Sequence, residues 1–92
     1  AKLDVNHLEI VATLRSCGAS VVSLASVGSG CPDLLVGYAG RTALIEIKDG
    51  DKPPSQRQLT EDQKRFHGEW RGGTLCIVDS VDAALRVLRL ML

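Results

Sequence analysis

The chain has 92 residues, 45% of them hydrophobic and 3% aromatic, and its 11 Lys and Arg balance its 11 Asp and Glu. This length supports one domain, residues 1–92, whose core must come from Leu, Val, Ile and Ala and whose stability is marginal enough that a second copy would help. The three aromatic residues argue against a base-stacking platform for single strands, and three cysteines without a Cys-x-x-Cys pair argue against a disulfide framework or a zinc site.

Reduced thiols fit a cytoplasmic setting, and no signal peptide, transmembrane run or lipidation motif points to a membrane partner. Neutral charge is unusual for a nucleic-acid partner. Basic residues nevertheless recur late in the chain, at Arg41, Lys48, Lys52, Arg57, Lys64, Arg65 and Arg71. Acids lie between them, so a basic patch and a mixed-charge surface both stay open.

In chain order, Asp4 to Cys17 reads as a helix, with Val5, Leu8, Val11, Ala12 and Leu14 at helical spacing. Asp4 can cap its start and Gly18 can end it. His7, like His67 further on, reads as a surface histidine. Val21 to Leu24 is a short strand, and Gly28-Ser29-Gly30 a tight bend.

Asp33 to Tyr38 and Arg41 to Lys48 read as strands joined by a two-residue turn, Ala39-Gly40. If Tyr38 pairs with Arg41, Asp33 falls opposite Glu46, and opposed residues point to one face. Lys48, two residues on, shares that face. Two adjacent carboxylates repel unless a proton or cation sits between them, and a hard oxygen-seeking ion such as Mg²⁺ suits the place. Cys31, beside Asp33, reads as a small packing residue.

Asp49 to Ser55 is a loop after that strand, placed to contact DNA. A helix follows from Thr60 to about Trp70. Its Thr60-x-x-Gln63 start is a capping box, which requires no catalysis, although a site role for Gln63 is equally open. Gly72-Gly73 breaks the helix, Thr74 to Val78 is a strand, and Ser80 to Leu92 is a closing helix. Val81, Ala84, Leu85, Leu88 and Leu92 share a face of it, and Val87, Leu90 and Met91 widen the apolar arc. The arc fits either deep packing in its own domain or a subunit interface, and the expectation here is a homodimer. The order of elements is α/β.

Gly30-Cys31-Pro32-Asp33 followed by Glu46-Ile47-Lys48 resembles the PD-(D/E)xK nuclease motif. With the opening helix, the Pro-Asp-Leu-Leu-Val strand and Leu59-Thr60-Glu61-Asp62-Gln63, nearly the whole chain resembles the virus-type replication-repair nuclease (VRR-NUC) domain, in its small stand-alone phage and bacterial form. The resemblance implies a restriction-endonuclease-like core, a mixed central sheet flanked by helices. It implies Mg²⁺ or Mn²⁺ held by Asp33, Glu46 and the backbone carbonyl of Ile47, with Lys48 supporting the attacking water and steadying transition-state charge. Gln63 would lie near the site, and Glu9 or Asn6 would be the polar first-helix residue beside the metal. The implied activity is endonucleolytic DNA hydrolysis leaving a 5′ phosphate, with no small-molecule cofactor. Small relatives act as homodimers on branched duplex DNA, four-way (Holliday) junctions, in a bacterial or phage-infected cell. A flap or nicking nuclease is the alternative activity, and a non-catalytic DNA-binding module of the same fold is the alternative from another class.

Overall fold

The computed structural model describes residues 5–92. The expected cap at Asp4 lies outside them. The elements run α1 (His7–Ser16), β1 (Ser20–Ser23), β2 (Leu34–Tyr38), β3 (Arg41–Ile47), a 3-10 turn (Pro54–Gln56), α2 (Glu61–Glu69), β4 (Thr74–Val78) and α3 (Val81–Met91). Among the described residues, no helix is long and apolar enough to cross a membrane.

The strands form one sheet in the order β1-β2-β3-β4. The β1–β2 and β2–β3 pairs are antiparallel and β3–β4 is parallel. A parallel neighbour needs a crossover, and α2 supplies it. The β2–β3 turn sets the register on which the site depends. Ala39 and Gly40 both take positive φ, 53° and 76°, the conformation that matches the twist of a two-residue hairpin. Tyr38 therefore pairs with Arg41, and the ladder runs back to Leu34 opposite Ile45.

Alternation along the strands divides the sheet into two faces. Leu34, Val36, Ala43, Ile45, Ile47 and Val78 join Ile10 and Leu14 of α1 and Ala84, Val87, Leu88 and Met91 of α3 in one buried cluster. Each large side chain so buried contributes about 1.5–3 kcal/mol relative to exposure. The other face carries Glu46, with α2 against it. Further along that face, Val22, Leu35, Leu44 and Leu75 pair in a row across all four strands.

The terminal helices bury only part of the stripes their spacing suggested: Leu14 and Val11 of α1 and Ala84, Leu88 and Val81 of α3 pack on the core, but others do not. In α1 the inward stripe is His7, Ile10 and Leu14, while Val5, Leu8 and Ala12 are exposed. Val5, Leu8 and Ala12 form an apolar stripe of the same i, i+3, i+7 spacing as His7, Ile10 and Leu14, so periodicity alone favours the stripe without the histidine. Asn6 chooses: its Nδ2 donates to the carbonyls of Lys48 (3.0 Å) and Asp79 (3.1 Å), fixing how the helix start is rotated. His7 thus goes inside, at 3% exposure, rather than to the surface. At its far end α1 closes as expected. Gly18, at φ 94°, donates to Arg15 and Ala19 to Leu14, a Schellman motif. In α3, Val87 and Met91 are core residues, leaving Leu90 and Leu92 exposed. Much of that helix's apolar width is used by its own chain.

Candidate functional site

Asp33 stands one residue before the first ladder pair of β2, between Pro32 and Leu34, both fully buried. Continuing the register places it opposite Glu46, as the hairpin required. Its Oδ2 accepts a hydrogen bond from the backbone N–H of Ile47, 2.8 Å away. In an extended strand the N–H and C=O of one residue point to the same side, so the Ile47 carbonyl also faces the Asp33 edge.

Glu46 is only 2% exposed. A carboxylate so buried needs hydrogen-bond or ionic partners to stay charged. One is Gln63 of α2, whose Nε2 donates to Glu46 Oε2 at 3.3 Å. The same carboxamide turns its Oε1 to Lys48, which donates from Nζ at 2.8 Å. Gln63 therefore stands between the acid and the ammonium, hydrogen-bonded to both. Its place comes from the capping box. The Gln63 N–H donates to Thr60 Oγ1 at 3.2 Å, and Oε1 also accepts from the Thr60 N–H at 2.9 Å. Gln63 thus completes the capping box and also hydrogen-bonds Glu46 and Lys48.

The bend before Asp33 sets how close α2 comes. Gly30 has φ 78°, and a Cβ there would overlap the backbone carbonyl of Asp62 in the first turn of α2. The loop that delivers Asp33 and the turn that delivers Gln63 are in backbone contact.

Two neighbours report the local field. Burial raises the Cys31 thiol above its ordinary pKa, and the charges of Glu46 and Asp33 raise it further. It stays protonated at neutral pH, consistent with a packing residue rather than a nucleophile. His67 is shifted the other way, below its usual value, by burial and then by the charge of Lys48. It lies one turn beyond Gln63 on α2, and its Nε2 is buried without a hydrogen-bond partner. His67, expected at the surface, is half-buried near Lys48. The i, i+4 spacing from Gln63 was the available signal.

Of the first-helix residues, Asn6 reaches the site's backbone through the Lys48 carbonyl. Glu9 is exposed and lines a separate polar depression with Asn6, Asp49, Asp51, Asp79 and Asp82. Around α2 the charges are mixed: Arg57 pairs with Asp79 (3.4 Å), Lys64 with Glu61 (3.3 Å) and Arg65 with Asp62 (3.2 Å).

No family model matches the chain, and no curated protein does. Among solved structures, a chain described as "VRR_NUC domain" superposes with a TM-score of 0.59 at 28% identity, covering 90% of this chain and 89% of that one. The chain has a VRR-NUC-like fold. Its mixed four-stranded sheet flanked by helices is consistent with the restriction-endonuclease-like core that the sequence implied. In this VRR-NUC-like frame the Pro-Asp and Glu-x-Lys segments meet on one sheet face, at the end where α2 begins.

Proposed function

We propose that this chain is a divalent-metal-dependent DNA endonuclease, acting as a homodimer on four-way junctions. The observation that carries the reading is the convergence of Asp33, Glu46 and Lys48 at one end of the β2–β3 hairpin, with Gln63 bonded to the last two. The likeness to a VRR_NUC domain supports the nuclease chemistry.

Mg²⁺ takes one or two protein carboxylates and fills its other positions with waters and phosphate oxygens. Asp33, Glu46 and the Ile47 carbonyl match that donor set. Among the described residues, no group of three or more His, Cys, Asp or Glu could hold a metal ion, so an ion here would rest on the two carboxylates, the Ile47 carbonyl and waters. Bound there, Mg²⁺ or Mn²⁺ would polarise the scissile phosphate and lower the pKa of a bound water. Lys48 orients the attacking water by donating to it and steadies the charge that builds on the phosphate oxygens. Gln63 keeps the ammonium beside Glu46. Asp33, through its bond to Ile47, fixes the end of β3 that carries Glu46 and Lys48. From α1, Asn6 would contribute through the Lys48 carbonyl, while Glu9 stands apart in its own depression. The product carries a 5′ phosphate.

No zinc-finger or helix-turn-helix pattern in the sequence offers base reading, which favours recognition of DNA shape. Two sites related by a two-fold axis would cut symmetry-related strands of a junction. The test is cleavage of a four-way junction, a 5′ flap and a linear duplex in Mg²⁺. Preferred paired cuts in the junction support the reading, flap cutting selects the flap nuclease, and binding without cutting selects the non-catalytic module.

A further inference from the structure

The capping box of α2 does more than start a helix. In an ordinary box the N3 side chain spends its acceptor on the N-cap N–H. Here Gln63 Oε1 accepts from that N–H at 2.9 Å and from Lys48 Nζ at 2.8 Å. Both are donors, so the oxygen must face them, and Nε2 is left to turn toward Glu46 at 3.3 Å. The cap, the ammonium and the acid thus all require one orientation of the amide, and the cap ties it to the first turn of α2. Thr60 Oγ1 completes the constraint by holding the Gln63 N–H at 3.2 Å. The same turn lies against Gly30, on the segment leading to Asp33.

We infer that Thr60 is a positioning residue of the active site. It acts through Gln63 to hold the Lys48 ammonium beside Glu46, so the site is complete only while the first turn of α2 is folded. A lysine on a flexible four-carbon stem loses rotamer freedom when so held. Loss of the cap returns that freedom and lowers the fraction of molecules with the ammonium in place.

This inference rests on the nuclease reading for its kinetic arm only. The experiment compares Thr60→Ala, Thr60→Gly and Thr60→Ser with Ser80→Ala. Ser80 caps α3 in the same way, its Oγ accepting from the Ala83 N–H at 3.1 Å. Thr60→Gly removes the hydroxyl at little cost in helix stability, so it stays folded if the Ala variant does not. Single-turnover junction cleavage in Mg²⁺ is the first readout. The second is the Gln63 side-chain amide in a ¹H–¹⁵N spectrum of the metal-free protein. Thr60→Ala and Thr60→Gly should each cleave about tenfold more slowly at unchanged DNA affinity, less than the ~100-fold that a full misplacement costs, because the Thr60 N–H still holds Gln63 Oε1 and only the Oγ1 bond is lost. Thr60→Ser should stay within about twofold of wild type because it keeps the capping oxygen. Ser80→Ala should cleave at the wild-type rate. The Gln63 amide should move toward the position and exchange rate of the exposed Gln56 and Gln58 amides in the Ala and Gly variants alone. Wild-type rates in Thr60→Gly with an unmoved Gln63 amide would overturn the inference, as would equal slowing by Ser80→Ala. If the wild-type protein cuts nothing, the nuclease reading fails by itself, and an unmoved amide still refutes the positioning role.

Discussion

Replacing Gly30 by Ala tests whether α2 and the Asp33 loop are one unit. Gly30 and Gly40 have nearly the same backbone, φ 78° and 76°. An added Cβ costs roughly 1–2 kcal/mol at either position through left-handed strain. At Gly40 the new methyl meets nothing within 4 Å, whereas at Gly30 it overlaps the carbonyl of Asp62. Overpacking of that kind adds roughly 1–3 kcal/mol and forces backbone to shift. In a chain of this size 1 kcal/mol corresponds to about 4–8 °C in Tm. Gly40→Ala should therefore melt about 4–16 °C low and cleave normally. Gly30→Ala should melt about twice as far below wild type and lose cleavage, because the turn carrying Gln63 is pushed off Lys48. Melts by circular dichroism and junction cleavage decide it. Equal Tm and equal activity in the two variants would refute the reasoning.

Three further outcomes follow from the same geometry. Mn²⁺ should raise Tm in wild type by binding the folded state, and Asp33→Ala should erase the gain; the same shift in both proteins would remove Asp33 from the ligand set. Because His67 is held below its ordinary 6.5 by burial and Lys48, the unfolded chain binds the proton more readily than the fold. The stability of the neutral imidazole is present above pH 6.5 and lost as pH falls through the folded pKa. Wild type should thus lose more Tm than His67→Gln on acidification from about pH 7 to 5, and parallel curves would count against the assignment. Light scattering at micromolar concentration should give a dimer that Leu90→Asp weakens; a wild-type monomer that still cuts both junction strands in one encounter would overturn the homodimer.

What was legible in the sequence was whatever local chemistry decides. Ala39-Gly40 fixed a turn, the turn fixed a register, and the register put Asp33 opposite Glu46. Thr60 and Gln63 announced a cap. The rotation of α1 was not legible, because the all-apolar stripe Val5-Leu8-Ala12 competes with His7-Ile10-Leu14, and a tertiary tie from Asn6 to Lys48 and Asp79 selects the latter. The half-burial of His67 near Lys48 was hidden for the same reason: it depends on where α2 docks, which Gly30 controls from thirty-two residues before Asp62. The width of the apolar arc on α3 was readable, but not that Val87 and Met91 would be spent on the chain's own core.

The most direct measurement is cleavage of a four-way junction in Mg²⁺ by wild type, Glu46→Gln and Lys48→Ala, with melting curves as the check on folding. The two variants should fold, bind the junction and cut at least about a hundredfold more slowly than wild type. Near wild-type cleavage by folded Glu46→Gln would contradict the assigned site.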